Sequence, residues 1–313
     1  MDLSVAAATT TLADLAAEIG DRGPVAVEGG RTQWEAGGPP PPGVRLVRAP
    51  AGVIAFEPAE MTVRVGAGTT VADLDAVLAE AGQTVAVPAW PGATVGGVLA
   101  VGHSGIRRLG WGPVRNALLE ARVVDARGHL VKAGGPTVKN VSGYDLCRLL
   151  VGSLGTLGLL GEVVLRTRPL PRASRWLAGS ADPFALLGRL HGPSALLWDG
   201  STTWLLLEGH AADFDHQSAI AAGAGLAPVA AGPSLPPFRR SLAPGELLAL
   251  PTTLADTATG RWVAEIGVGT VHVDQPVDPP LVTGPVAELH RRLKAVFDPD
   301  GRLNPGREVA RCA

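Results

Sequence analysis

Hydrophobic and polar positions along this chain switch between a helical and a strand period, and the switches mark its elements. Leu12, Leu15, Ala16 and Ile19 recur at helical spacing between Thr11 and Ile19, and Gly20 ends the run. Pro24–Val27 reads as a short strand running into Glu28-Gly-Gly-Arg-Thr32, and Val44–Val47 and Met61–Val65 are also strand-like. Thr70-Val-Ala-Asp73 has the form of a capping box with Asp in place of Glu or Gln. Leu74, Val77 and Leu78 supply the helical stripe behind it, and Gly82 the stop. From Val87 to Pro113 the periodicity collapses into a long Gly/Pro-rich stretch, the kind of loop that usually carries function.

Order returns further on. Ala121–Val131 reads as a hairpin turning at Ala126-Arg-Gly128, Leu146–Val151 as a helix and Glu162–Arg166 as a strand. The character changes at Pro169-Leu-Pro171. Residues 172–268 read as strand, helix, strand, strand, helix and strand, anchored by Pro183–Leu190 (helix), Thr202–Glu208 and Arg261–Ile266 (strands). That order is the one of a small ferredoxin-like sandwich. A helix at Val286–Phe297 and the segment Asp298–Arg307 follow. No internal repeat is present.

Composition narrows the classes. Of 313 residues 46% are hydrophobic and only 18% charged, with a net charge of −2, which excludes wholesale disorder and a basic field for nucleic acid. Glycine is in excess, 41 residues without a collagen period, and so serves turns and close backbone approaches. The two cysteines, Cys147 and Cys312, form no CxxC pair, so zinc-ribbon and iron–sulfur ligand sets are missing. His210 and His216 are six apart and share no helical face, and no metal site is expected. No basic segment precedes an apolar run at the N-terminus, and Leu149–Leu160 is too short and glycine-broken for a membrane span. A cytoplasmic location is expected.

Three Gly-rich turns have the strand–loop–helix form that lets backbone N–H groups converge on an anion: Glu28–Thr32, Gly66–Thr70 and Gly92–Gly97. The second imitates a dinucleotide fingerprint but fails at its third glycine, where Val71 stands, so NAD binding by that route is rejected. The Ser104 surroundings likewise fail the G-x-S-x-G elbow, since Ile106 stands at its last position.

The joint pattern is more telling. Pro91-Gly-Ala-Thr-Val-Gly-Gly97, Gly102-His-Ser-Gly105, Gly152-Ser-Leu-Gly-Thr-Leu-Gly158 and Asp298-Pro…Asn304-Pro-Gly306 occur in this order. Together they resemble the FAD-binding family of vanillyl-alcohol oxidase and p-cresol methylhydroxylase (PCMH). Lys139-Asn-Val-Ser-Gly-Tyr-Asp-Leu146 ahead of the GSLGTLG run is similar to the flavin subunits of bacterial glycolate oxidase, most of all to the shorter, E-type FAD-binding subunit.

The resemblance implies an α+β fold: a PCMH-type FAD-binding domain of two α+β subdomains (residues 1–171), a small ferredoxin-like cap (172–268) and a C-terminal return segment (269–313). Carried over residue by residue, Gly29, Gly30, Arg31 and Thr32 would approach the pyrophosphate, and Ala93, Thr94, Gly96 and Gly97 would complete its cradle. Ser104 and Gly105 would sit beside the flavin, and Gly155 and the backbone near Val163 would flank the adenosine end. Covalent members carry His where this chain has Arg31, and bicovalent members add a Cys near 91–97; neither is present, so the expected FAD is non-covalent. The His-rich metal motif of larger hydroxy-acid-oxidising members is also missing.

His272 and Tyr144 are the catalytic candidates. His103 reads as a polar loop residue or a flavin neighbour, and Asn304 as a turn-former or a flavin contact. The implied function is the FAD-binding subunit of a glycolate-oxidase-like complex, oxidising a small 2-hydroxy acid such as glycolate to the 2-oxo acid glyoxylate. Implied partners are a second flavin subunit and an iron–sulfur subunit, with peripheral membrane association only through them. A stand-alone FAD oxidoreductase of another alcohol or hydroxy acid, and a non-catalytic flavin-carrying assembly subunit, are the alternatives.

Overall fold

Thr11 begins the first helix with a complete capping box. Its hydroxyl accepts the Asp14 N–H at 3.1 Å, and its own N–H donates to the Asp14 carboxylate at 3.0 Å. Helix α1 (Leu12–Ile19) buries Leu15 and Ile19 against a parallel strand pair, β1 (Val25–Val27) and β2 (Arg45–Val47), in a small core completed by Val124, Leu159 and Leu303. The computed structural model describes residues 10–135, 145–250, 260–276 and 282–309. The chain divides into two units: residues 1–105, 113–170 and 280–313 form the first, and 106–112 with 171–279 the second.

The main sheet of the first unit runs β3 (Val53–Glu57), β4 (Thr62–Gly66), β8 (Leu159–Pro169), β6 (Leu118–Val124), β7 (Leu130–Gly134), all antiparallel. The short β5 (Gln83–Val85) pairs with the far end of β8. Helices α2 (Val71–Glu80), α3 (Val95–Val101) and α5 (Leu146–Leu150) deliver Leu74, Leu78, Leu99 and Leu150 to a core shared with Val63, Val65, Val163 and Leu165. Strand β8 is longer than the 162–166 read from the sequence. It is the central strand, and its run from Leu159 to Leu165, apolar but for Gly161 and Glu162, carries little alternation to mark its ends.

The stretch expected to be loop from 87 to 113 contains α3 and, in the second unit, α4 (Arg108–Trp111). Thr94 caps α3 by accepting the Gly97 N–H, Gly102 closes it in the left-handed region at φ +78°, and Val95, Val98 and Leu99 are buried. The glycines at 96 and 97 hide this stripe from a periodicity reading.

In the second unit, β9 (Ala173–Gly179), α6 (Pro183–Leu187), β10 (Ala195–Trp198), β11 (Thr203–Gly209), α7 (Ala211–Gly223) and β12 (Ala227–Val229) follow in the ferredoxin-like order, with strands arranged β12-β9-β11-β10. The motif is therefore complete by residue 229. Three more antiparallel strands, β13 (Phe238–Ser241), β14 (Trp262–Glu265) and β15 (Thr270–Val273), extend the sheet beyond β10. Thr270–Val273 was expected in the return segment. It belongs to this sheet instead, because it pairs with both β13 and β14.

The first unit resumes with α8 (Gly284–Phe297) and the segment after it. Asp298 accepts the N–H groups of Arg302 and Leu303, and the buried Arg302 guanidinium donates to the carbonyls of Ile19, Gly20, Arg22, Gly23 and Ala126. Residues 298–307 are thereby bolted beside β1.

Candidate functional site

Where β1 ends, the chain turns through Glu28–Thr32 over the loop that precedes α3. A Cβ on Gly30 would lie 1.7 Å from the Gly92 carbonyl oxygen, so no other residue fits while the two loops touch. Arg31 adopts φ +54° at the turn. Among the described residues, the amide N–H groups of Gly29, Gly30, Arg31, Thr32 and Gln33 find no protein acceptor. Successive unpaired amides make an anion-binding concavity.

All five residues line a cavity of about 900 Å³, open mouth included, within the range of cofactor-sized sites. Its apolar wall includes Val98 and Val101 of α3, Leu154, and Leu159 and Leu160 of β8. The C-terminal segment closes one side. Asn304, at φ +44°, donates to the Leu154 carbonyl at 2.6 Å and accepts the Val27 N–H at 3.0 Å. A Cβ on Gly155 would come within 2.3 Å of the Asn304 amide nitrogen.

Trp34 is a neighbour of two guanidinium groups in this wall, with Arg31 at 4.8 Å and Arg307 at 4.7 Å from its ring centre. Arg307 also donates to the carbonyls of Trp34 and Ala36. Glu28, the acidic residue of the lining, is engaged by Arg31 at 2.6 Å and Arg48 at 3.2 Å. The wall thus offers amides and guanidinium groups to a diphosphate and an apolar surface to flat rings. Those are the two requirements of a flavin dinucleotide, and the residues present fit it.

The structure sorts the residues singled out from the sequence. Gly29, Gly30, Arg31, Thr32, Thr94, Gly96, Gly97 and Gly155 line the cavity together. The amides of Gly96 and Gly97 are already used, donating to the Ala67 carbonyl at 2.7 Å and to the Thr94 hydroxyl at 3.2 Å. These two glycines shape the wall, and the open donors lie at 29–33.

Ala93, Ser104, Gly105 and Val163 are not in the lining. Ala93 is buried and exchanges backbone bonds with Trp90 and Val71. The buried Ser104 hydroxyl accepts the Val114 N–H at 3.0 Å, Gly105 lies against Pro88, and Val163 is mid-strand between Val65 and Ala121. Tyr144 lies outside the described residues. His272 is in the second unit, where its Nε2 donates to Glu265 Oε1 at 2.8 Å.

Trp34, Leu154 and Arg307 join the lining without a local signal, since only the fold carries Arg307 back to the first loop. Among the described residues, no three His, Cys, Asp or Glu side chains gather into a metal-binding group, and no helix is long and apolar enough to cross a membrane.

Comparison with known proteins agrees with this geometry. Residues 5–134 match the FAD binding domain family. The fold is shared with alkyldihydroxyacetonephosphate synthase (TM-score 0.70, 14% identity, covering 94% of this chain and 74% of that one). It is also shared with a carbohydrate oxidase from Microdochium nivale (TM-score 0.54, 17% identity, covering 71% and 52%). The fold class is that of the PCMH-type FAD-binding oxidases.

Within that class, the chain is 37% identical over 161 residues to glycolate oxidase subunit GlcE of Escherichia coli, covering 50% of this chain and 45% of that protein. It is 41% identical over 116 residues to a D-lactate dehydrogenase of Archaeoglobus fulgidus, covering 36% and 26%. Glycolate oxidase subunit GlcD of Bacillus subtilis is 39% identical over 84 residues, covering 27% and 18%. The matched segments span less than half the length of these relatives.

Proposed function

We propose that this chain is the FAD-binding subunit of a glycolate-oxidase-like complex and takes part in oxidising a small 2-hydroxy acid, glycolate, to the 2-oxo acid. The run of unpaired amides at 29–33 in a cofactor-sized cavity carries the reading, and the likeness to GlcE and GlcD supports the substrate class. Bound FAD would supply a two-electron acceptor for the hydrogen on the substrate carbon.

The chain's own share is binding and orientation. Gly29–Gln33 would hold the diphosphate, with Arg31 and Arg307 adding charge, while Val98, Val101, Leu159 and Leu160 would exclude water from the rings. Among the described residues no histidine or cysteine lines the cavity, and non-covalent FAD goes with this reading. His272, paired with Glu265, is the acid–base candidate of the second unit. A cytoplasmic location and docking to a second flavin chain and an iron–sulfur chain go with this reading.

A visible spectrum taken before and after acid precipitation tests it. Flavin absorbance that moves to the supernatant, and that bleaches in the native protein on anaerobic addition of glycolate, is the expected result. A chain that stays colourless after incubation with FAD overturns the proposal. Flavin that is taken up but never bleached, even with partner subunits added, would make the chain a flavin carrier without a catalytic part.

A further inference from the structure

Helix α8 is tied to the first unit from one side. Lys294 donates to the carbonyls of Thr156 at 2.9 Å and Leu303 at 3.1 Å and to the Asp298 carboxylate, and Phe297 is half-buried. No residue of the helix is fully buried.

Away from Lys294, the helix carries Val286, Leu289, Leu293 and Val296, spaced three, four and three apart. That is the a, d, a, d spacing of a seam that a second helix covers. Val286 and Leu289 are each 53% exposed and Val296 78%, with Leu293 half-buried. Among the described residues, Leu248 alone joins these three as a large apolar side chain more than half exposed. Single apolar residues on a surface are ordinary, but three at seam spacing on one helix mark an interaction face.

The charges beside the seam decide what fits it. Arg291, Arg292 and Lys294 stand against one acid of the helix, Glu288, and that acid is engaged by Arg291. Arg292 falls at the g position, flanking the seam, and makes no ion pair among the described residues. A second copy of this chain would bring it no acid. Antiparallel pairing sets Arg292 against its own counterpart, and parallel pairing sets it against Phe297 of the other copy.

We propose that α8 is a docking surface for one amphipathic helix of a different chain, apolar along its seam and acidic where it meets Arg292. The apolar seam supplies the affinity, and the charge beside it selects the partner. Seeking that helix in a partner subunit rests on the proposed function; the surface itself does not.

Fluorescein-labelled peptides of about 21 residues, or three heptads, test this by anisotropy with the full chain. One peptide has Leu at a and d with Glu at e and g, and the other has Lys in place of Glu. Like charges keep each peptide from pairing with itself. The expected result is saturable binding in which the Glu peptide is at least about threefold tighter at low salt. Leu289→Gln combined with Val296→Gln, at exposed positions where Gln preserves the helix, should weaken the Glu peptide at least about tenfold. The urea midpoint of that double variant should stay at the wild-type value. Arg292→Glu should reverse the preference in favour of the Lys peptide.

No saturable binding, equal affinity for the two peptides, or undiminished binding by the double variant overturns the proposal. A wild-type chain that sediments as a dimer, with the double variant a monomer, would assign the face to a second copy and also overturn it. A chain that refuses FAD but selects the Glu peptide would sink the proposed function and leave this surface standing.

Discussion

Single side chains decide whether the candidate site exists. In Gly30→Ala the new Cβ must displace the Gly92 carbonyl, parting the two loops and scattering the amides at 29–33. Titration with FAD should show affinity lowered by at least about tenfold.

Glu120 is fully buried on β6. Burial alone would push its carboxyl up, but the hydrogen bonds and charges of Arg64 and Lys132 together outweigh that and hold it below the ordinary value. A lowered folded value means that the stabilisation is present above the unfolded carboxyl's range and is lost as pH falls through the folded value. Glu120→Gln should therefore cost roughly 3 kcal/mol in urea denaturation at pH 7, and the gap to wild type should close in acid.

Cys147 is buried, and desolvation, with the charge of Asp145, pushes its thiol up to about 11. In a Cys312→Ser background, iodoacetamide at pH 8 should leave the native protein unlabelled and label it only after unfolding.

At the scale of elements, the site is assembled by a segment far away in sequence. Residues 298–307 run beside β1, with Asn304 joined to Val27 and Leu154 and Arg302 to five carbonyls. Replacing Arg302 by Met would take the shared guanidinium donor from those carbonyls, of which Ile19 keeps Arg45. The expected loss is roughly 3 kcal/mol of stability by urea denaturation, together with weaker FAD uptake, because the same segment carries Asn304 and Arg307 into the cavity wall. The glycines of α3 show the converse. They obscure its helical period, yet Gly96 lets it pack against Ala67.

For the whole molecule, a ligand that binds only the folded chain raises its stability by mass action. FAD at about 100 times its dissociation constant should add about 2.7 kcal/mol, read as a rise in melting temperature with FAD concentration. A melting point that does not respond to FAD would contradict the cofactor fit. The two units need not respond alike, since the cavity is lined by the first unit alone.

Local chemistry in the sequence determined the elements and the kind of site. The Thr11 and Thr70 caps, the strand at 62–66 and the Gly-rich turn at 28–32 follow from short-range sterics and hydrogen bonding, which a few neighbouring residues decide. The sequence also indicated the ferredoxin-like order of the second unit, though not that Val229 completes it and that β13–β15 are added beside β10.

Only the tertiary structure decided which glycines keep open amides, because the bonds that use up Gly96 and Gly97 go to partners placed by packing. It alone brought Asn304 and Arg307 to the first loop, and Glu265 to His272. Contacts between residues hundreds of positions apart, or on neighbouring strands, depend on register and burial, and those are set when the whole core forms rather than by any one stretch of chain.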